Sequence, residues 1–217
     1  MRRTFFLILA FLVSTNCLRA SADSTRQRRF QKLADEMRLK KPKLKEGDYE
    51  VRIWNRQSLQ YGDAQMLYRL IKRKETFTVT KSIILWNKHE FKHATEFNSN
   101  RPVTVELWQK LLQHNILTLP DMTALRDQLF PKPEKDSTWN VIEPDGTVSV
   151  KAKRKRNKWI IIGDGEGYYF QVFGKDSYHD YEYSNPLGYV KEKPEIIELC
   201  NVVAILHDLA PAFQSTQ

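Results

Sequence analysis

Residues 66–86, MLYRLIKRKETFTVTKSIILW, decide the reading of this chain. Residues 66–73 and 76–86 are rich in β-branched and aromatic side chains, which suit a pleated, half-buried surface. The polar break between them is short, at Lys74 and Glu75, so the two strands are predicted to pair antiparallel. Upstream the period is again two. Tyr49, Val51 and Ile53 alternate with Glu50, Arg52 and Trp54, which predicts a half-buried strand.

Downstream the period lengthens. Val105, Leu107, Trp108, Leu111, Leu112 and Ile116 follow Thr104 at helical spacing, predicting an amphipathic helix of about three turns. Asp121 is placed to cap a further short helix through Leu129. In the second half, residues 140–142 and 147–150 flank Asp145-Gly146, a two-residue hairpin signal. Residues 159–162, 168–173 and 178–183 read as three further strands, with Gly163, Gly165 and Gly167 at the first turn and Asn185-Pro186 closing the sheet. Pro194 suits the first position of a terminal helix, on which Ile196, Leu199, Cys200, Val203 and Leu206 share a face and Cys200 is a buried packing residue. Runs of strands with helices between and after them imply an α+β fold: a mainly antiparallel sheet with an amphipathic mid-chain helix and a C-terminal helix packed on it.

Composition agrees with a folded domain. Of 217 residues, 41% are hydrophobic and 28% charged, with 8 Gly and 9 Pro, so collagen-like, low-complexity and wholly disordered chains are excluded. The net charge of +9 favours anionic contacts without naming a partner.

The first 22 residues carry the three parts of a secretory signal. Arg2 and Arg3 supply positive charge, residues 5–13 (FFLILAFLV) an apolar stretch, and Ala20-Ser21-Ala22 a cleavage site. The apolar run is far shorter than the roughly 20 residues needed to span a bilayer, so a removable leader is expected, and no transmembrane span in the mature chain. Cys17 follows Ser14-Thr15-Asn16, and Asn16 stands where a lipid-attachment site has a small residue, which disfavours anchoring. Cleavage leaves Cys200 alone, so an exported chain must be stabilised by apolar burial rather than an internal disulfide. The expected organisation is a signal at 1–22, a basic helix and linker at 23–47, and one α+β domain at 48–217. In the basic segment Phe30, Leu33, Ala34 and Met37 define one helical face, predicting a short helix that lies on the domain and ends before Pro42.

The sharpest chemical motif is His89-Glu90-Phe91-Lys92-His93. On a helix, His89 and His93 point the same way and can share a zinc ion, while Glu90 takes a proton from metal-bound water. The surroundings oppose this: Lys88 and Lys92 bring positive charge, residues 82–86 look like strand, and no third ligand is marked. A polar surface segment is the competing reading, and no cofactor is expected apart from that zinc. A second cluster, Lys151, Lys153, Arg154, Lys155, Arg156 and Lys158, is the densest charge in the chain. It suits phosphate or other anions, and for an exported protein these are lipid or glycan headgroups of the envelope rather than nucleic acid. A solvated loop is the plainer reading. Gly163-Asp164-Gly165-Glu166-Gly167 is followed by strand-like residues rather than a helix, so it reads as a tight turn and not a nucleotide loop. In residues 178–183, Tyr178, Asp180 and Glu182 alternate with His179, Tyr181 and Tyr183, and the aromatic side reads as core rather than as a stacking platform.

The opening strand YEVRIWN, the segment 116–121 (ILTLPD) and the tail YEYSNPLGYVKEKPEIIEL together resemble a family of uncharacterised exported bacterial proteins. The resemblance covers most of the mature chain and carries over no catalytic residue. The expectation is therefore an exported protein of the periplasm or medium that binds rather than catalyses. A zinc hydrolase using the HEFKH motif and an anion binder using residues 151–158 are the alternatives.

Overall fold

The computed structural model describes residues 28–56, 65–87, 90–99, 103–132, 137–153, 161–163 and 165–213. Strands β1 (Tyr49–Arg56), β2 (Gln65–Arg73), β3 (Thr76–Asn87) and β4 (Glu90–Asn98) form a meander. Strands β5 (Ser137–Ile142) and β6 (Val148–Lys153) form a separate hairpin, and β7 (Gly167–Phe173) and β8 (Tyr178–Ser184) return to the main sheet. That sheet has the order β4-β3-β2-β1-β7-β8, and every neighbouring pair is antiparallel. The helices are α1, described over 28–36, α2 (Val105–Gln113), a 3₁₀ turn (Met122–Leu125) leading into α3 (Arg126–Leu129), α4 (Pro186–Glu192) and α5 (Ile197–Phe213). The architecture is α+β, with the C-terminal helix packed on a mainly antiparallel sheet.

Alternation along the strands gives the sheet two faces, and both are covered. On one face Val51, Ile53, Leu70, Val79, Phe170 and Val172 meet Trp108 and Leu111 of α2 and Leu199, Val202, Ile205 and Leu209 of α5. On the other, Trp54, Leu67, Ile84 and Tyr169 meet Phe30, Leu33 and Ala34 of α1. The stripe read at Phe30, Leu33 and Ala34 is therefore a core face. The expectation of a half-buried β1 is corrected: Glu50 and Arg52 are 3% exposed. Residues after α1 cross that face, and the Arg52 guanidinium donates to the Lys40 carbonyl (2.8 Å).

Side chains at the free edge of β8 clamp the 116–121 segment. The phenols of Tyr181 and Tyr183 donate to the carbonyls of Ile116 (2.8 Å) and Pro120 (2.7 Å), while His179 Nε2 lies 2.8 Å from the Leu119 carbonyl. The Asp121 carboxylate accepts from the Glu182 amide and also caps the 3₁₀ turn through Thr123 N–H. Backbone groups that an edge strand and an irregular segment would leave unpaired thus find partners. Next to them, Asn185 is left-handed (φ 49°) and caps α4 through the Gly188 N–H. A Cβ on Gly165 would lie 2.2 Å from Asn185 Cγ, which explains a glycine there.

Several expectations shift. Residues 142 and 148 close the β5–β6 hairpin, so its connection is five residues long, not two, although Gly146 (φ 82°) still makes the turn. Residues 161 and 162 are not strand, and 159–160 lie outside the described residues. Asn185-Pro186 follows the last strand, as expected, and also starts α4. Helix α5 begins at Ile197, and its inward face is Leu199, Val202, Ile205, Leu209 and Ala212, so Cys200 is half-buried instead of buried. The helix is apolar on most sides, so periodicity alone did not choose the inward face. The predicted leader, residues 1–22, lies outside the described residues. Among the described residues, no helix is long and apolar enough to cross a membrane.

Candidate functional site

The described part of the zinc motif lies on β4, not on a helix. A bulge at the pairing of Leu85 with His93 and Trp86 with Phe91 leaves Lys92 unopposed. The bulge turns Phe91 and Ala94, three residues apart, to the same face, where they pack against the α1 cluster. His93 is then on the opposite face and is exposed, and Glu90 pairs with Lys92 at 3.2 Å in solvent. His89 lies outside the described residues. The helix over 88–97 that the zinc reading requires is thus not formed in its described part. Among the described residues, no three His, Cys, Asp or Glu side chains are grouped to hold a metal. Charged Glu90, Lys92 and Glu96 instead occupy a free edge of the sheet, where they oppose pairing with other chains.

Of the basic cluster, Lys151 and Lys153 are described. They lie on β6 opposite Trp139 and Ser137, so Trp139, Lys151 and Lys153 share one face of the exposed hairpin. Lys151 is 3.8 Å from Glu143. Arg154, Lys155, Arg156 and Lys158 lie outside the described residues.

A different set of residues surrounds a hollow beneath α5. Under the C-terminal half of α5 a cleft of about 400 Å³ is walled by Leu206, Leu209, Ala210 and Phe213. Its floor is the sheet, which contributes Ile53 and Asn55 from β1, Tyr68 from β2, Lys81 from β3, and Tyr168 from β7 with Glu166 just before it. A smaller hollow of about 100 Å³, lined by Ile83, Phe97 and Ala212 among others, adjoins it and shares Lys81 and Phe213. The register explains the convergence. Asn55 pairs with Tyr168, Ile53 with Tyr68 and Tyr68 with Lys81, so all point to the α5 side.

The polar groups form a chain. Asn55 Nδ2 donates to Glu166 Oε2 at 3.2 Å, and the Tyr168 phenol donates to the same oxygen through a short bond. Asn55 Oδ1 is buried without a hydrogen-bond partner, an acceptor that a bound donor would satisfy. The Lys81 ammonium sits 5.9 Å from the Tyr68 ring centroid, and no carboxylate pairs with it among the described residues. Burial first, and the Glu166 charge second, push the Tyr68 phenol up to about 12. Burial also pushes Tyr168 well up, helped by its hydrogen bond to Glu166. Both phenols stay protonated near neutral pH and act as donors, not bases.

Local sequence patterns do not reveal this cleft, but they carry one signal of it. Phe77, Val79, Lys81 and Ile83 share the inward face of β3, as Tyr49, Val51, Ile53 and Asn55 do on β1. A lysine and an asparagine interrupt otherwise apolar inward series. Comparison with protein-family models, curated proteins and solved structures finds no match.

Proposed function

We propose that this chain is an exported protein that binds a small ligand without transforming it, and that the ligand seat is the cleft under α5. The observation that carries this is the convergence of Lys81, Tyr68, Asn55, Tyr168 and Glu166 on the floor of a 400 Å³ hollow whose opposite wall is apolar. A few placed polar groups against an apolar wall is how small-molecule seats are built. Proton-bound phenols and a carboxylate already held by two donors suit recognition better than proton transfer. Export rests on the leader at 1–22.

The test uses 8-anilinonaphthalene-1-sulfonate, an anionic aromatic probe. Its emission is expected to rise with the full mature chain, and Ala210→Trp, which fills the cleft, is expected to weaken binding at least tenfold. Ile142→Ser with Val150→Ser, on the separate exposed hairpin and outside the cleft lining, is expected to leave binding unchanged. Loss of emission only in the hairpin variant would reject the cleft.

A second reading is favoured by the exposed hairpin, where Trp139 stands beside Lys151 and Lys153. Such a surface suits anionic lipid or glycan headgroups. Changing Lys151, Lys153, Arg154 and Lys155 to Ser is expected to advance elution from heparin and reduce binding to anionic vesicles. Unchanged retention would exclude this role.

A further inference from the structure

The charged ends of the cleft lie on different strands. Lys81 is on β3, whereas Glu166 leads into β7, and β2 and β1 run between them. Lys81 aligns through Tyr68 and Ile53 with Phe170, four residues beyond Glu166, so three inter-strand steps and that offset along the strand place the two backbones roughly 20 Å apart. The cleft is therefore polarised, with an ammonium toward one end and a carboxylate toward the other. Side chains reaching inward leave room for a ligand whose own opposite charges are separated by about two or three extended residues of roughly 3.3 Å each.

Between those ends the floor is amide-like in its demands. Tyr68 on β2 is a phenol donor engaged only by a weak 3.5 Å bond to Met66 Sδ, and Asn55 on β1 has a buried acceptor without a partner. These are complements for a C=O and an N–H. The facing wall of Leu206, Leu209, Ala210 and Phe213 accepts apolar side chains, and the adjoining 100 Å³ hollow beside Lys81 extends that apolar surface.

Resting on the cleft being the ligand seat, we infer that the ligand is a short apolar peptide, two or three residues long with both termini free. Its carboxylate lies toward Lys81, its ammonium toward Glu166, and its side chains against α5. Neither an apolar carboxylic acid nor an apolar amine meets both ends. Glu166 Oε2 accepts from Asn55 and Tyr168 and the residue has a further partner besides, while the two oxygens of an ionised carboxylate together take about four donors.

The test is an NMR titration of the mature chain with leucyl-alanyl-leucine in four forms: free, N-acetylated, C-amidated and doubly capped. The free form is expected to bind and to shift the resonances of Tyr68 and Leu206. Capping either end is expected to weaken binding at least tenfold. In Lys81→Gln the penalty for the C-amide is expected to vanish while that for the N-acetyl form remains, and Glu166→Gln should show the reverse. Circular dichroism melts establish that both variants are folded. If the capped forms bind as tightly as the free peptide and Ala210→Trp still abolishes binding, the cleft stands and the peptide assignment falls. If binding survives Ala210→Trp, the cleft itself is the wrong seat. Absence of binding by the free form at millimolar concentration overturns the peptide assignment, and the naphthalene probe then decides the cleft independently.

Discussion

Arg52→Met is expected to destabilise the protein by about 3–5 kcal/mol, the usual consequence of removing one partner of a buried ion pair. Arg52 Nε lies 2.6 Å from Glu50 Oε1, and the two side chains are 4% and 3% exposed. The guanidinium also donates to the Lys40 carbonyl and lies 4.7 Å from the Phe173 ring centroid. Its loss leaves the Glu50 charge buried with Arg69 as the remaining cation, at 3.1 Å, and Arg69 is itself drawn toward Glu96 at 3.8 Å. One shared, partly exposed arginine does not replace a dedicated buried one. The double variant Glu50→Leu with Arg52→Met removes the orphaned charge as well, so most of the loss should be recovered. Urea denaturation of the two variants and the parent checks both statements. A single-variant loss below about 1 kcal/mol would mean that water reaches this pair in solution.

That pair also shows how far the sequence could be read. Alternation over residues 49–54 identified the strand correctly, but a polar series normally implies solvent. Nothing local says that residues following α1 will be laid over Glu50 and Arg52. The mid-chain helix was legible because its cap, Thr104, and its stripe, Trp108 and Leu111, agree within one turn. Strand β4 was hidden by its bulge, since one extra residue at Lys92 puts Phe91 and Ala94 on one face and breaks the period of two. The HEFKH spacing then invited a helical interpretation. The cleft was hidden for a different reason. Its floor takes residues from three strands of the first meander and from the segment entering β7, and its wall from α5, so no window of sequence contains it. What was visible locally was an interruption of apolar series at Asn55 and Lys81.

Trp54→Ala is expected to be comparably severe, on the order of 3–5 kcal/mol, because it combines a lost buried aromatic with a broken hydrogen bond. Trp54 is 1% exposed on the face that α1 covers. Its ring centroid is 5.5 Å from that of Phe30, which stacks on Tyr169 at 4.3 Å. The indole N–H donates to Gln171 Oε1 at 2.8 Å, Gln171 Nε2 donates to the Tyr178 phenol at 3.2 Å, and that phenol donates to Asp180 at 3.1 Å. Trp54 therefore joins an apolar contact with α1 to a polar chain reaching the β8 edge. Trp54→Phe keeps much of the first and loses the second, so it should fall between alanine and the parent. Amide exchange gives the more discriminating readout. If α1 is part of the cooperative core, Trp54→Ala should lower protection at Leu33 and Ala34 by the same free energy as at Leu70 in the sheet. If protection falls at Leu33 and Ala34 while Leu70 is unchanged, α1 is an independently opening layer, and the domain's stability resides in the sheet and α5 alone.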